Sequence, residues 1–435
     1  MKKKKISCKA LQSSVYFAPD ELRHCCKRFF YKGELKGDVK IFPVNKNQKI
    51  EVSDIIEKKN ELINKINSGT TNPCTGCPHL VKDEWDDIEP LKLQHISIEA
   101  HSICSMKCTY CSDVYYGGKK PNYNLDEILN DLIKTDSFSE NVDIAWGGGE
   151  PLLLENFENL LINLTNKIKP FSNMIYSNAI KYSPIIEKYL KEDKAKLTTS
   201  IDAGNITTFK KVRGVKAFDK VFYNLKKYND AAQKNIIIKY IFTEGNHDKE
   251  NLDGFLNKIK EYNLQNCSFQ ISADFKFEDI NQEVFFNTLY LYKNLKEFNN
   301  VNTFLDYHLK PKINKYIGEI LKSGNQESIK NLESLCDIEK LKNSKVIIWG
   351  AGDTGRELVN KSSLLKYYNI KINFFVDKYK VKNSKLNNIL IKHPRDIQDD
   401  NSNIIIASAQ FNEEIYHELI TMGINRNRII DSLFL

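Results

Sequence analysis

The segment HSICSMKCTYCSD, residues 101–113, sets Cys104, Cys108 and Cys111 in the spacing C-xxx-C-xx-C. Thiolates are the ligands that hold iron–sulfur clusters. Three of them on one short loop can bind three irons of a cubane and leave the fourth iron without a protein ligand. Such an open position is what metal-assisted chemistry requires, by the logic that separates catalytic from structural zinc sites. Taken alone, the spacing also suits a zinc ion held by the three cysteines and by His101 or His95.

The residues around this loop alternate between strand and helix patterns. LQHISIEA is a strand that runs directly into it, and NLDEILNDLIKT has apolar residues at helical spacing. NVDIAWGG, SNMIYSNA, KLTTSID, NIIIKYIFTE and NCSFQIS are further strands. NFENLLINLTNKI, SPIIEKYLKE, FDKVFYNLKKYNDA and DKENLDGFLNKIKEYN are amphipathic segments between them. About six βα units in succession predict an α/β fold, a parallel sheet covered by helices, barrel-like or doubly wound. Residues 277–343 show no strand signal and are predicted to be a helical linker.

With this order established, three features carry a resemblance. C-xxx-C-xx-C at the end of a first strand resembles the cluster motif of the radical S-adenosylmethionine (SAM) superfamily. VDIAWGGGEPLL resembles its second motif, GGEP after a second strand. TTSIDAG followed by TFKKVRG resembles a third, in which a serine and a later arginine bind SAM. The resemblance covers about residues 95–275. It implies a partial (β/α)6 radical SAM barrel with a [4Fe–4S] cluster on Cys104, Cys108 and Cys111. Gly148, Gly149 and Glu150 would meet the methionyl amino group, Ser200, Asp202 and Arg213 would help hold SAM, and Tyr110 would lie beside the adenine. It further implies reductive cleavage of SAM to a 5′-deoxyadenosyl radical, with an electron donor such as flavodoxin or ferredoxin. The chemistry of the residues agrees. Two glycines let backbone approach a ligand closely, and Glu150 offers a charge to an ammonium.

Five more cysteines, Cys8, Cys25, Cys26, Cys74 and Cys77, lie within residues 1–90, the last two as a C-xx-C between prolines. Clustered cysteines in a reducing compartment mean metal or redox chemistry more often than disulfides. This Cys-rich N-terminal segment is expected to hold an auxiliary iron–sulfur cluster or a structural zinc, and spacing does not decide which of Cys25 and Cys26 takes part. Cys267 and Cys336 stand alone and are expected to be buried small hydrophobes.

Farther on, KVIIWGAGDTGREL places Gly350, Gly352 and Gly355 as G-x-G-xx-G between a strand and a helix. Asp377 ends the next strand, INFFVD. Strand, glycine loop, helix, strand and acid form a dinucleotide-binding fingerprint. Residues 344–435 are therefore expected to be a small Rossmann-like nucleotide-binding module, the alternative being a structural or oligomerising domain. The barrel is expected to span residues 91–276.

Composition adds limits. The chain has 435 residues, 41% of them apolar, and a net charge of +8 spread along its length. That spread describes solvated lysines rather than a nucleic-acid stripe. No stretch approaches the roughly 18 consecutive apolar residues of a membrane helix, and the basic start lacks the apolar run of a signal peptide. A cytoplasmic enzyme without nucleic-acid or membrane partners is expected. The leading expectation for its substrate is a sugar or nucleotide-sugar-type small molecule, in surface glycan biosynthesis. A peptide- or protein-modifying maturase and a non-enzymatic iron–sulfur redox sensor are the alternatives.

Overall fold

A computed structural model describes residues 4–46, 48–112, 118–232, 235–298, 303–336, 338–379, 384–398, 400–408 and 412–431. The chain divides into two compact units, Met1–Ser268 with Asp274–Glu278, and Phe269–Ala273 with Asp279–Leu435.

The first unit begins with β1 (Lys5–Ser7), α1 (Lys9–Ser13), β2 (Ser14–Phe17), β3 (Glu21–Arg23), β4 (Arg28–Tyr31), β5 (Glu34–Gly37), β6 (Lys40–Pro43), α2 (Val52–Asn67) and β7 (Val81–Asp83). The alternation follows, with β8 (Leu93–Ile98), α3 (Leu125–Lys134), β9 (Phe138–Trp146), α4 (Phe157–Ile168), β10 (Ser172–Tyr176), α5 (Pro184–Lys191) and β11 (Lys196–Ser200). It ends with α6 (Ile206–Arg213), α7 (Phe218–Ala231), β12 (Ile236–Phe242) and α8 (Lys249–Glu261).

Strands β2, β8, β9, β10, β11 and β12 lie side by side in that order, all parallel. A parallel sheet must be covered by its crossover helices, which explains the apolar runs. Ile96, Ile98, Ile144, Trp146, Ile175, Leu197, Ile236 and Ile238 are all buried. The helices supply the other half of the core. α3 buries Leu125, Ile128, Leu129 and Leu132, and Asn124 caps it by accepting from Glu127 N–H. α5 starts with Pro184 behind the cap Ser183, and α8 with the cap Asp248. Each cap answers a backbone donor that the first turn leaves unpaired.

The mixed α/β fold with a central parallel sheet is the one expected, but its composition differs in two places. Residues 1–90 are not wholly separate from the sheet, because β2 pairs with β8 from Ser14↔His95 to Phe17↔Ile98. β3 and β6 extend the sheet beyond β2 in antiparallel fashion. In addition the two units divide within the last expected strand of the alternation, NCSFQIS, after Ser268.

The second unit holds β13 (Ser268–Ala273), α9 (Gln282–Lys296), β14 (Thr303–Leu305), α10 (Leu309–Ser323) and α11 (Gln326–Cys336). β14 corrects the expectation of a strand-free linker: it pairs in parallel with β13 at Phe269↔Thr303. Three residues are too few to show a period, and pairing supplies what the pattern lacked. A second alternation then runs through β15 (Lys345–Trp349), α12 (Asp353–Lys361), α13 (Ser363–Tyr367), β16 (Lys371–Val376), β17 (Lys385–Leu386), β18 (Ile389–Lys392), β19 (Asn403–Ile406), α14 (Asn412–Thr421) and β20 (Ile429–Asp431). Its sheet order is β17-β18-β16-β15-β19-β20. One core cluster joins Ile347, Trp349, Phe374, Val376, Ile404 and Ile406 to Ile415 and Leu419.

Candidate SAM and cluster site

Parallel strands bring their carboxyl ends to one edge of the sheet, where ligands of such folds bind. The loops after β8, β9, β10 and β11 carry the residues singled out above.

The loop after β8 bears the cysteines and is held from two sides. On one side it meets the glycine turn after β9. Gly149 N–H donates to the His101 carbonyl at 2.8 Å, and Glu150 N–H to that of Ile103 at 2.8 Å. These contacts require glycine. A Cβ on Gly149 would lie 2.3 Å from the Ile103 oxygen, and one on Gly148, at φ +87°, would lie 2.8 Å from Glu99 Cα. On the other side the loop meets the end of α6, where Lys107 and Thr109 donate to the carbonyls of Arg213 and Val212, both at 3.0 Å.

Within the loop, Met106 N–H points to Cys104 Sγ at 3.4 Å. Asn178, just past β10, donates to Cys104 Sγ at 3.7 Å and to Ser105 at 3.1 Å. Burial raises the Cys108 thiol, opposed by the Arg213 charge, and pushes Cys111 up to about 12. His101 is buried and accepts from Ile103 N–H at Nδ1, which makes it a brace of the loop. Among the described residues no three His, Cys, Asp or Glu side chains converge on a single metal ion.

Glu150 is buried at 2% exposure beneath this loop. Ser177 Oγ and Asn178 N–H donate to its two oxygens at 2.7 Å each. Burial raises its carboxyl and those hydrogen bonds oppose the rise.

Asp202 is fully buried after β11. Its Oδ2 accepts from Tyr110 Oη at 2.5 Å and from Arg213 Nη1 at 3.0 Å, and its Oδ1 from Ile241 N–H at 2.7 Å. Burial opposes ionisation. The Arg213 guanidinium, at 3.0 Å and itself buried, opposes this and favours the anion. Asp202 thus positions Tyr110 and Arg213. The Arg213 guanidinium also lies 5.6 Å from the centre of the Tyr110 ring.

An observation independent of any motif tests the fit to SAM. Arg213 Nε is buried and without a hydrogen-bond partner, on a side chain 7% exposed. An unpaired buried guanidinium N–H is costly unless an acceptor arrives, and a carboxylate of SAM is such an acceptor.

Residues 98–256 match the model of the Radical SAM superfamily. The chain carries a radical SAM domain. The superfamily's cofactors are a [4Fe–4S] cluster and SAM, and the residues present fit both. Residues 342–430 match a second model, C2185-like, N-terminal. The GTP 3′,8-cyclase of Clostridium botulinum (strain Okra) is 27% identical over 175 residues, 39% of this chain and 54% of the cyclase. That of Vibrio parahaemolyticus is 20% identical over 206 residues, 46% of this chain and 60% of the cyclase. The chain spans about half the length of the curated relatives it matches. Streptococcus suis SuiB bound to S-adenosylmethionine is similar at a TM-score of 0.39 and 14% identity, over 60% of this chain and 59% of SuiB. The protein anSMEcpe with bound AdoMet is similar at 0.38 and 20%, over 49% and 63%.

The radical SAM motifs did not mark Ser177 and Asn178. The available signal was their place, polar residues immediately after a parallel strand on the ligand-binding edge.

In the second unit, β15 lies between β16 and β19, so the loop Gly350–Gly355 emerges where the sheet order reverses. A Cβ on Gly355 would lie 2.0 Å from the Gly350 oxygen and one on Gly350 2.5 Å from that of Ala407, whereas one on Gly352 would meet nothing within 4 Å. Asp377 Oδ2 accepts from Ala351 N–H at 3.1 Å and Oδ1 from Tyr379 N–H at 2.9 Å. The carboxylate fastens the glycine loop to the end of β16. No helix among the described residues is long and apolar enough to cross a membrane.

Proposed function

We propose that the protein is a radical SAM enzyme that cleaves SAM reductively and abstracts hydrogen from a nucleotide-type small molecule. When bound, the cluster and SAM supply methionine and a 5′-deoxyadenosyl radical on receipt of one electron from a flavodoxin- or ferredoxin-type donor. Cys104, Cys108 and Cys111 hold three irons. Glu150 takes the methionyl ammonium beside Gly148 and Gly149. Arg213, aimed by Asp202, takes the carboxylate, while Ser200 and Tyr110 line the same edge. The observation that carries this reading is the unpaired Nε of Arg213, buried on the residue that also holds the cysteine loop.

For the substrate, the nucleotide part of the expectation is supported by relatives named GTP 3′,8-cyclase and by the space at Gly352 in the glycine loop after β15. The sugar part has no such support. In the test, anaerobically reconstituted protein receives dithionite, SAM and, separately, nucleoside triphosphates, nucleotide sugars or peptides. Formation of 5′-deoxyadenosine should rise with a nucleotide. No product with any of them would overturn the reading, and a rise with peptides alone would move it to a maturase.

A further inference from the structure

The N-terminal thiols are brought together by three separate pieces of structure. β1 and β7 pair antiparallel with Ser7↔Val81 in register, so Cys8 leaves one strand close to where the Cys74–Cys77 turn enters the other. That turn is closed by Cys77 N–H donating to the Cys74 carbonyl at 3.0 Å. At its tip Gly76 has φ +83°, and a Cβ there would lie 2.1 Å from the Tyr31 ring. The β4–β5 hairpin therefore sits against the turn, and Cys25 lies just before that hairpin. Cys25, Cys74 and Cys77 are each within electrostatic reach of Cys8, and Cys74 and Cys77 also of Cys25. Cys26 faces elsewhere, towards Tyr16 and Glu99.

A second feature calls for negative charge at this place. Lys59 of α2 is fully buried, and its Nζ donates to the carbonyls of Leu11 and Ser14, both at 2.8 Å. The site is next to Cys8, whose Sγ accepts from the N–H of the same Leu11 at 3.4 Å. A buried ammonium is expensive unless it is paired or neutralised. Four neutral thiols do not pair it, whereas a cluster with four thiolates carries a net negative charge.

We propose that Cys8, Cys25, Cys74 and Cys77 bind a second [4Fe–4S] cluster, with Lys59 as its buried counter-charge and Cys26 excluded. With four protein ligands the second cluster has no open iron, so it serves electron transfer or structure and does not bind SAM.

The experiment uses the full chain with Cys104, Cys108 and Cys111 all changed to Ala, so that iron measures the N-terminal site independently of SAM cleavage. After anaerobic reconstitution this variant should keep about four irons and four labile sulfides per chain, against about eight of each in the wild type. Adding Cys25→Ala should cut the remaining iron at least fourfold, while adding Cys26→Ala should leave it unchanged. In dithionite-reduced wild type, SAM should alter one of two electron paramagnetic resonance signals. An iron-free triple variant whose wild-type parent holds about four irons would overturn the proposal. Stoichiometric zinc in place of iron, or loss of iron with Cys26→Ala but not Cys25→Ala, would also overturn it.

Discussion

Gly149→Ala should disable SAM cleavage without touching a cysteine. The new methyl carbon would lie 2.3, 2.8 and 2.9 Å from the oxygen, nitrogen and carbonyl carbon of Ile103, all backbone atoms. Comfortable carbon contacts begin at about 3.5 Å, so the two turns must part by roughly 1 Å. Two hydrogen bonds cross that gap, Gly149 to His101 and Glu150 to Ile103, both 2.8 Å. Weakening both costs about 1–3 kcal/mol at 0.5–1.5 kcal/mol each. The displaced residue immediately precedes Cys104, so the cost should appear in cluster geometry as well as stability. A displacement of about 1 Å in a reacting assembly can lower the rate about a hundredfold. The assay is 5′-deoxyadenosine formed per reconstituted chain, beside iron content and SAM affinity. Cleavage by Gly149→Ala within threefold of wild type, at full iron content, would refute the argument that this turn sets the loop.

Replacing Cys104, Cys108 and Cys111 together with Ala should abolish 5′-deoxyadenosine formation, measured by chromatography; residual product would remove the barrel cluster from the mechanism. Asp202→Asn strands the buried Arg213 charge and should cost about 3–5 kcal/mol in urea unfolding. It should also raise the SAM dissociation constant, and an unchanged constant would argue against a positioning role. Burial lowers His95 and His101 to about 4 each. Unfolding therefore takes up protons below about 6.5, and the stability of the metal-free chain should fall as pH drops from 6.5 towards 4. Equal urea midpoints at pH 7.5 and 5 would contradict this. Gly352→Val in the full chain should weaken nucleotide binding by calorimetry while leaving iron content intact, whereas Gly355→Ala should destabilise the module itself, its methyl being 2.0 Å from the Gly350 oxygen.

The parts of the fold legible in the sequence were those with a period or a fixed spacing. The strands from β8 to β12 fall where the alternation put them. β2 escaped because its four residues, SVYF, are all buried and so show no alternation. A short apolar run does not separate strand from helix. At the site, the cysteine spacing, the glycines and Arg213 were visible because backbone approach and ligand charge restrict residue type. Ser177 and Asn178 act through their position after β10. Spacing does not separate the adjacent Cys25 and Cys26, because the groups that each thiol faces are supplied by neighbouring elements. Cys267 is buried as expected, and the Cys336 side chain lies outside the described ones.

The parallel pairing of β2 with β8 bears on how this protein can be cut. A shortened gene beginning at residue 91 would remove the chain that satisfies the outer backbone groups of β8, from His95 to Ile98. The strand that delivers the cysteine loop would become a bare sheet margin, able to recruit a strand from another molecule. The region before the barrel is in this sense a wall of it. Fragments of the catalytic portion should therefore retain β2 beside β8, and insolubility of shorter ones would report a missing neighbour rather than a missing cofactor.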